Sequence, residues 1–180
     1  MNPIKKFIFL LSLLAVASSS PVMASSGTIT FNGGVVASTC TVTLNGSSSS
    51  GTVTMDNVAL GLLGVIGDTA AQTSFTLNLA GCTTVTGQTL VNAFFEAGAG
   101  VDVTSGNLIN TGTATNVAIQ LLVANSMAQI IPGSQTQAQP ASISIPEGTG
   151  TLAYVAQYIA TGAATAGTIL SSVTYTLVYD

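Results

Sequence analysis

Apolar and polar residues alternate one by one along much of this chain, and this period of two constrains the fold more than any other feature. Successive side chains of a strand point to opposite faces, whereas a helix repeats about every 3.6 residues. The alternating runs are rich in Val, Ile, Thr and Tyr, and Gly, Ser, Asn and Pro separate them. Helix signals are scarce, so the sequence predicts an all-β chain.

Eight runs have the length and composition of strands. They cover residues 28–31, 35–44, 51–55, 74–79, 116–123, 141–145, 153–160 and 169–179. Asn45-Gly46, followed by four serines, is the plainest turn between them, because Asn and Gly both accept a positive φ. Several short strands at this spacing predict a β-sandwich.

The last run has a clear two-faced pattern. Its polar face carries hydroxyl side chains, and its other face carries the apolar residues Ile169, Val173, Tyr175, Leu177 and Tyr179. Such a strand packs its apolar face on a core. The pattern does not show which strand pairs with its backbone edge.

A second alternation lies near the start of the chain, with Ile29 and Phe31 on one face. A strand close to a terminus stays ordered only when a partner holds it in place. From these residues alone, a first strand of the same sandwich and a strand donated to another copy both remain open.

The first 24 residues have the pattern of a secretory signal peptide. Lys5 and Lys6 precede an apolar run over residues 7–17, and a small-residue cleavage site ends at Ala24. The apolar run is about half the length of a membrane-spanning helix, so we expect export without a membrane anchor. Cleavage after Ala17 is the alternative.

Removal of the signal peptide leaves a purely acidic chain. Lys5 and Lys6 are the only basic residues, the sequence has no His, and the acids are scattered singly at Asp56, Asp68, Glu96, Asp102, Glu147 and Asp180. A chain without cations cannot neutralise phosphates or anionic lipid headgroups, so the sequence argues against nucleic-acid binding and membrane-surface binding. Its length suits one domain.

The mature chain also lacks the side chains on which most enzymes depend, since it has neither His nor Lys. Two carboxylate pairs, Asp56 with Asp68 and Glu96 with Asp102, are nominal candidates for glycoside hydrolysis. Solvated turn and strand positions explain these acids better. No acidic run has the spacing of a calcium loop. The sequence predicts neither an enzyme nor a cofactor.

Cys40 and Cys82 are the only cysteines. An exported chain folds under oxidising conditions, which favour their pairing. Two free buried thiols are a less favoured alternative, and two thiols without His fall short of the four ligands of a zinc site. We therefore expect one disulfide.

Four segments in order resemble the type 1 fimbrial major pilin family of chaperone-usher pili. They are GTITFNGGVVASTC at 27–40, SFTLNLAGC at 74–82, TATNVAIQLL at 113–122 and YIATGAATAGT at 158–168. Gly167, fourteenth from the C-terminus, and the penultimate Tyr179 resemble the assembly signature of subunits carried by a periplasmic chaperone. The resemblance spans nearly the whole mature chain.

This resemblance implies an incomplete immunoglobulin-like β-sandwich, with a pilin domain over residues 38–180 and a donor-strand extension over residues 25–37. The extension of one subunit would fill the groove of its neighbour. By register, the donor residues that enter the groove would be Ser25, Gly27, Ile29, Phe31 and Gly33. The strand read by the chaperone and by the donor would carry Gly167, Val173, Tyr175, Leu177 and Tyr179.

The same resemblance implies a structural shaft subunit of a fimbria, which supports adhesion at the bacterial surface. Its partners would be other copies of itself, a periplasmic chaperone, an outer-membrane usher and other fimbrial subunits. A minor or tip-proximal carbohydrate-binding subunit is the alternative. Glycan sites favour stacking aromatic rings, and the absence of Trp argues against that alternative.

Overall fold

The computed structural model describes Thr30 and residues 40–83, 88–145 and 148–180. In these ranges the chain forms ten strands and one short 3₁₀ helix, Leu60–Leu63. The strands are β1 (Thr41–Leu44), β2 (Thr69–Ala80), β3 (Leu90–Phe95), β4 (Val101–Asp102), β5 (Asn107–Ile109), β6 (Val117–Val123), β7 (Gln129–Ile130), β8 (Ile143–Ser144), β9 (Thr149–Ala160) and β10 (Tyr175–Tyr179). The all-β prediction is confirmed. None of the helical structure in these ranges is long and apolar enough to cross a membrane.

The strands form two antiparallel sheets. The larger sheet has the order β1-β2-β9-β6-β5-β4, with β7 also paired to β6, and the smaller sheet has the order β10-β3-β8. The long strands β2 and β9 pair from Thr69 and Ile159 to Ala80 and Thr149, with a bulge between Ala70 and Thr73. They form the centre against which the smaller sheet packs.

Three aromatic rings join the two sheets. Tyr154 on β9 is fully buried, and its ring centroid lies 5.4 Å from that of Phe75 on β2. The centroid of Phe95 on β3 lies 5.1 Å from Tyr154 in an edge-to-face arrangement. Because Phe95 belongs to the smaller sheet, this contact crosses the sandwich, and such a pair contributes roughly 0.5–1.5 kcal/mol beyond area burial.

The predicted disulfide between Cys40 and Cys82 is present. Cys40 precedes β1 and Cys82 follows β2, and β1 pairs along its whole length with the last four residues of β2. The bridge therefore ties the edge strand β1 to the end of its neighbour β2. In the chain-entropy model, closing a loop with a sequence separation of 42 stabilises the fold by roughly 4 kcal/mol.

The predicted strands match the structure best in the second half of the chain. The runs 116–123 and 153–160 coincide with β6 and with most of β9, whereas the run 51–55 has no strand partner among the described residues. Of the run 169–179, only its end forms a strand, β10. The run 28–31, apart from Thr30, and residues 35–39 lie outside the described residues.

Candidate strand-binding groove

A long groove opens between the two sheets where β1 ends the larger sheet and β10 ends the smaller one. The groove encloses about 1430 Å³. Residues 51–58 form one wall and residues 164–177 form most of the other. Its floor is the core itself, with Phe75, Leu77, Phe95, Leu121 and Ala156 among the lining residues. The apolar core therefore forms the floor of the groove along the sandwich.

Side chains of the C-terminal wall alternate in exposure from residue 169 to residue 179. The odd-numbered side chains are half-buried and the even-numbered ones are exposed. The half-buried set that lines the groove includes Ile169, Val173, Tyr175, Leu177 and Tyr179. This set is the apolar face that the sequence predicted for the last run.

The backbone of this wall is hydrogen-bonded on one side. The Thr174 carbonyl accepts a hydrogen bond from the Glu96 amide at 2.9 Å, and the Leu170 carbonyl accepts one from the Thr111 amide at 2.8 Å. Peptide groups of the intervening odd-numbered residues make no hydrogen bond to any described residue; they belong to Ile169, Ser171 and Val173. Such an edge can accept a further strand.

The backbone of the opposite wall is likewise free to pair with an inserted strand. Within the described part of the chain, the backbone of residues 51–58 makes no hydrogen bond, although Val53 and Met55 pack half-buried against the core. Thr52 and Thr54 between them are exposed, which is the alternation of a strand. Two unpaired edges thus face each other across an apolar floor, a space that one inserted strand can fill.

Two tyrosine hydroxyls cross the groove near β10. The Tyr175 hydroxyl donates a hydrogen bond to the Ser49 carbonyl at 2.7 Å, and the Cys40 amide donates one to the Tyr179 hydroxyl at 3.3 Å. Burial raises the pKa of Tyr175, so its hydroxyl keeps the proton that it donates. These bonds connect β10 to Cys40 and Ser49 at this end of the groove.

Gly167 lies at the other end of the groove, where the chain enters the C-terminal wall. A Cβ atom at this position would overlap the backbone of Thr113 and Ala114. The Thr168 amide next to it donates a hydrogen bond to the Thr113 hydroxyl at 2.9 Å. A side chain at Gly167 would therefore push the wall away from the larger sheet, which explains why glycine stands here.

Three of the four acids of the two nominal catalytic pairs have structural partners instead. The Asp68 carboxylate accepts a hydrogen bond from the Val65 amide, and the Glu96 carboxylate accepts one from the Thr176 hydroxyl. Hydrogen bonds from Ser105 and Thr104 lower the pKa of Asp102, the opposite of what a general acid requires. Among the described residues, no three His, Cys, Asp or Glu side chains are grouped so that they could hold a metal ion.

The residues predicted for the acceptor groove lie together along one wall of it, whereas the predicted donor residues are not among those that the structure describes. The wall set is Gly167, Val173, Tyr175, Leu177 and Tyr179. The donor set lies outside the described residues and stays a prediction; it is Ser25, Gly27, Ile29, Phe31 and Gly33. The alternation at Val53 and Met55 predicted a strand in the opposite wall, but it did not indicate that this segment lines a groove.

Comparison with known proteins gives one consistent result. Residues 52–180 match the family model described as FimA, Type-1 fimbrial protein, A. The F17 fimbrial protein of Escherichia coli is 45% identical over 181 residues, which cover 98% of this chain and 99% of that protein. The major fimbrial subunit SMF-1 of Stenotrophomonas maltophilia (strain K279a) is 37% identical over 165 residues, covering 87% of this chain and 94% of that subunit.

A solved structure supports the fold. The crystal structure of the P pilus rod subunit PapA matches this chain with a TM-score of 0.60, covering 79% of this chain and 100% of PapA. The sequence identity is 16%, so this likeness concerns the fold alone.

Proposed function

Because this chain belongs to the type-1 fimbrial protein family, and is thus a subunit of a fimbria on the bacterial surface, we propose that it builds the fimbrial shaft by donor-strand exchange. In this mechanism, residues 25–37 of one copy enter the groove of the next copy. The family is one of structural subunits, which agrees with a protein that performs no catalysis.

The observation that carries the proposal is the groove of about 1430 Å³ with an apolar floor and two unpaired walls. Each large apolar side chain that stays exposed forgoes roughly 1.5–3 kcal/mol of burial free energy. A strand that covers the half-buried Val173 and Leu177 would recover part of this free energy and would also pair the peptide groups of Ile169, Ser171 and Val173.

The proposed donor segment has a matching repeat. Alternate residues on a strand are about 6.8 Å apart, so Ile29 and Phe31 have the spacing of successive half-buried residues in the wall. Gly27 and Gly33 fall in the same register on either side of them. Main-chain hydrogen bonds would hold such a strand, and the two large side chains would select its register.

We also assign a periplasmic chaperone and an outer-membrane usher as partners. An exposed apolar groove bordered by unpaired strand edges promotes aggregation, so a subunit in transit needs the groove covered. A chaperone strand beside Val173 to Tyr179 would provide that cover, and assembly at the usher would replace it with the donor strand of the next copy.

The decisive experiment makes strand addition intramolecular. Residues 25–37 are moved from the front of the mature chain to a position after Asp180, joined by a short flexible linker. Because the effective concentration of a tethered strand is in the millimolar range, we expect a soluble monomer that folds without chaperone and no longer polymerises. Its melting temperature, measured by circular dichroism, should exceed that of the chaperone-free native subunit.

A matched pair of variants controls this experiment. In the rearranged chain, changing Ile29 and Phe31 to Asp should abolish the gain in melting temperature, since charged groups would enter the apolar pockets. Changing Thr28 and Thr30 to Asp alters the opposite face and should leave most of the gain. Equal losses in both variants, or no gain in the rearranged chain, would contradict donor-strand exchange.

The alternative is a minor or tip-proximal carbohydrate-binding subunit, and electron microscopy of cells distinguishes it. Deletion of a shaft subunit should remove the fibres, whereas deletion of a minor subunit should leave fibres of altered number or length. Restoration by a plasmid copy of this chain is the control.

A further inference from the structure

A patch of exposed apolar side chains lies beside one end of the groove. Its four members are mostly exposed within one short loop, and we call them the loop patch: Leu60 (50%), Leu62 (57%), Val65 (64%) and Ile66 (75%). Single exposed apolar residues are common on soluble proteins, but a contiguous patch marks a contact surface.

The loop patch has a fixed conformation. Leu63, between its members, is 4% exposed and packs in a core cluster with Val117 and Tyr158. The Ala164 amide donates a hydrogen bond to the Leu63 carbonyl at 3.1 Å, and the Asp68 carboxylate accepts one from the Val65 amide at 2.9 Å. A partner therefore meets a preformed surface and does not bear the cost of ordering the loop.

We propose that the loop patch binds the body of a neighbouring copy in the fimbria, in addition to the donor strand. This inference rests on the proposed function, because it takes the groove as the site of the donor strand. Leu60 and Leu63 also line the groove, so a strand that fills the groove passes directly beside the patch. The patch and the groove then form one continuous surface facing adjacent copies.

The charge distribution favours a second copy as the occupant. Beyond Lys6 the sequence contains no Lys, Arg or His, so two mature copies cannot form salt bridges between side chains. Association of their bodies has to use apolar contacts and hydrogen bonds. The loop patch offers four large apolar side chains, and Asp68 is the acid at its border, with a carboxylate engaged within the loop.

Site-directed photo-crosslinking in assembled fibres tests the proposal. Both native cysteines are in the disulfide, so an introduced cysteine is the single site for a benzophenone maleimide. Ile66→Cys places the probe in the loop patch, and Val103→Cys is the matched control at an exposed apolar position, 79% exposed, after β4. Illuminated fibres are then dissociated by heat in detergent, and crosslinked dimers are quantified.

We expect several-fold more dimer from position 66 than from position 103. Mass spectrometry should join the probe to peptides of the same chain outside residues 25–37. Equal yields from the two positions, crosslinks to the donor segment alone, or crosslinks to a different protein would overturn the proposal.

A second pair of variants measures the strength of the contact. Leu62→Asp with Ile66→Asp should leave the periplasmic subunit level unchanged, since both side chains are exposed, and should make fibres dissociate in denaturant on the order of tenfold faster. Val103→Asp should dissociate like the native fibre. Unchanged dissociation of the double variant would overturn the proposal.

Failure of the proposed function gives a different result. In that case the variant with Ile29 and Phe31 changed to Asp would still assemble into fibres, whatever the loop-patch variants show. If fibre assembly requires Ile29 and Phe31 but fibre stability does not depend on Leu62 and Ile66, only the loop-patch proposal is overturned.

Discussion

Tyr154 shows how one side chain can stabilise and destabilise the same core. Its ring is fully buried and contacts Phe75 and Phe95, while its hydroxyl has no hydrogen-bond partner among the described residues. Burial of an unpaired hydroxyl costs about 1–3 kcal/mol. The ring and the hydroxyl therefore contribute to stability with opposite signs.

The first prediction separates these two contributions. Tyr154→Phe removes only the hydroxyl, so the free energy of unfolding should stay unchanged or rise by roughly 1 kcal/mol. Tyr154→Ala removes the ring as well and should lower it by about 3–5 kcal/mol. Urea unfolding followed by circular dichroism measures both values. A clear loss of stability in Tyr154→Phe would mean that the hydroxyl has a partner.

A second prediction concerns alkaline pH. Burial raises the pKa of Tyr154, Tyr158 and Tyr175, and the negative charge of Asp56 adds to the effect at Tyr158. A tyrosine with a raised folded-state pKa stabilises the fold fully below its unfolded pKa of about 10, and this stabilisation is lost as pH rises through the folded-state value. Stability should therefore fall above about pH 10.

Tyrosinate absorbance and circular dichroism, recorded together during alkaline titration, check this expectation. Ionisation of the buried tyrosines should coincide with loss of structure, because the folded state favours the neutral hydroxyl. If all four tyrosines ionised near pH 10 while the fold stayed intact, the buried environment of Tyr154 would be refuted.

Among the elements, the C-terminal wall changes partners along its length. β10 pairs with β3, whereas residues 165–170 lie beside residues 110–115, where side chains supply many of the bonds. For example, the Thr115 amide donates a hydrogen bond to the Thr165 hydroxyl at 2.9 Å. The wall crosses from one sheet to the other, so it has no continuous strand partner on its bonded side.

The third prediction compares the two faces of this wall. Val173→Asp places a carboxylate in the groove, where a covering strand would bury it without a partner, at a cost of several kcal/mol. Ser172→Asp places the same group on the exposed face. We expect the first variant to be depleted from the periplasm and absent from fibres, and the second to resemble the native chain, as measured by immunoblotting of both fractions.

Comparable levels of the two variants would indicate that no strand covers Val173. This outcome would leave the fold unchanged but would remove the groove as a binding site.

The elements also show which parts of the fold could be predicted from the sequence. Alternation over residues 169–179 identified the buried face correctly because a period of two determines which side chains share a face. It did not predict that β10 begins only at Tyr175, since the partner strand is set by tertiary structure. Strand β3 was missed because Leu90 and Phe94 place apolar side chains on the face opposite Val91.

The same limit applies to the candidate site. Alternation at Val53 and Met55 predicted a strand, but a strand that awaits a partner alternates in the same way as one that already has a partner. The sequence therefore predicted a strand within residues 51–58 but could not predict that these residues form a wall of a groove. Positions such as Gly167 depend on the close approach of Thr113 and Ala114, which no local pattern encodes.

On the scale of the whole molecule, the absence of cations gives a fourth prediction. No Lys or Arg follows Lys6, so the mature chain has no tryptic cleavage site and only its N-terminus reacts with amine-directed dyes. Mass spectrometry of a labelled and trypsin-treated sample should give one intact species with one dye. More than one dye on the intact species would contradict the predicted removal of the signal peptide, because Lys5 and Lys6 would also react, and a series of tryptic fragments would mean that the mature chain differs from this sequence.

If donor strands join the fibre as proposed, the disulfide between Cys40 and Cys82 determines how the fibre responds to tension. Force arriving through the segment ahead of Cys40 passes across the bridge to the end of β2, so residues 41–81 cannot be drawn out from their Cys40 end while the bridge is intact. After reduction, the released 42-residue separation could lengthen each subunit by up to roughly 140 Å at about 3.4 Å per residue. Single-fibre pulling should show this added extension only in reduced fibres. The disulfide therefore limits the extension of each subunit under load.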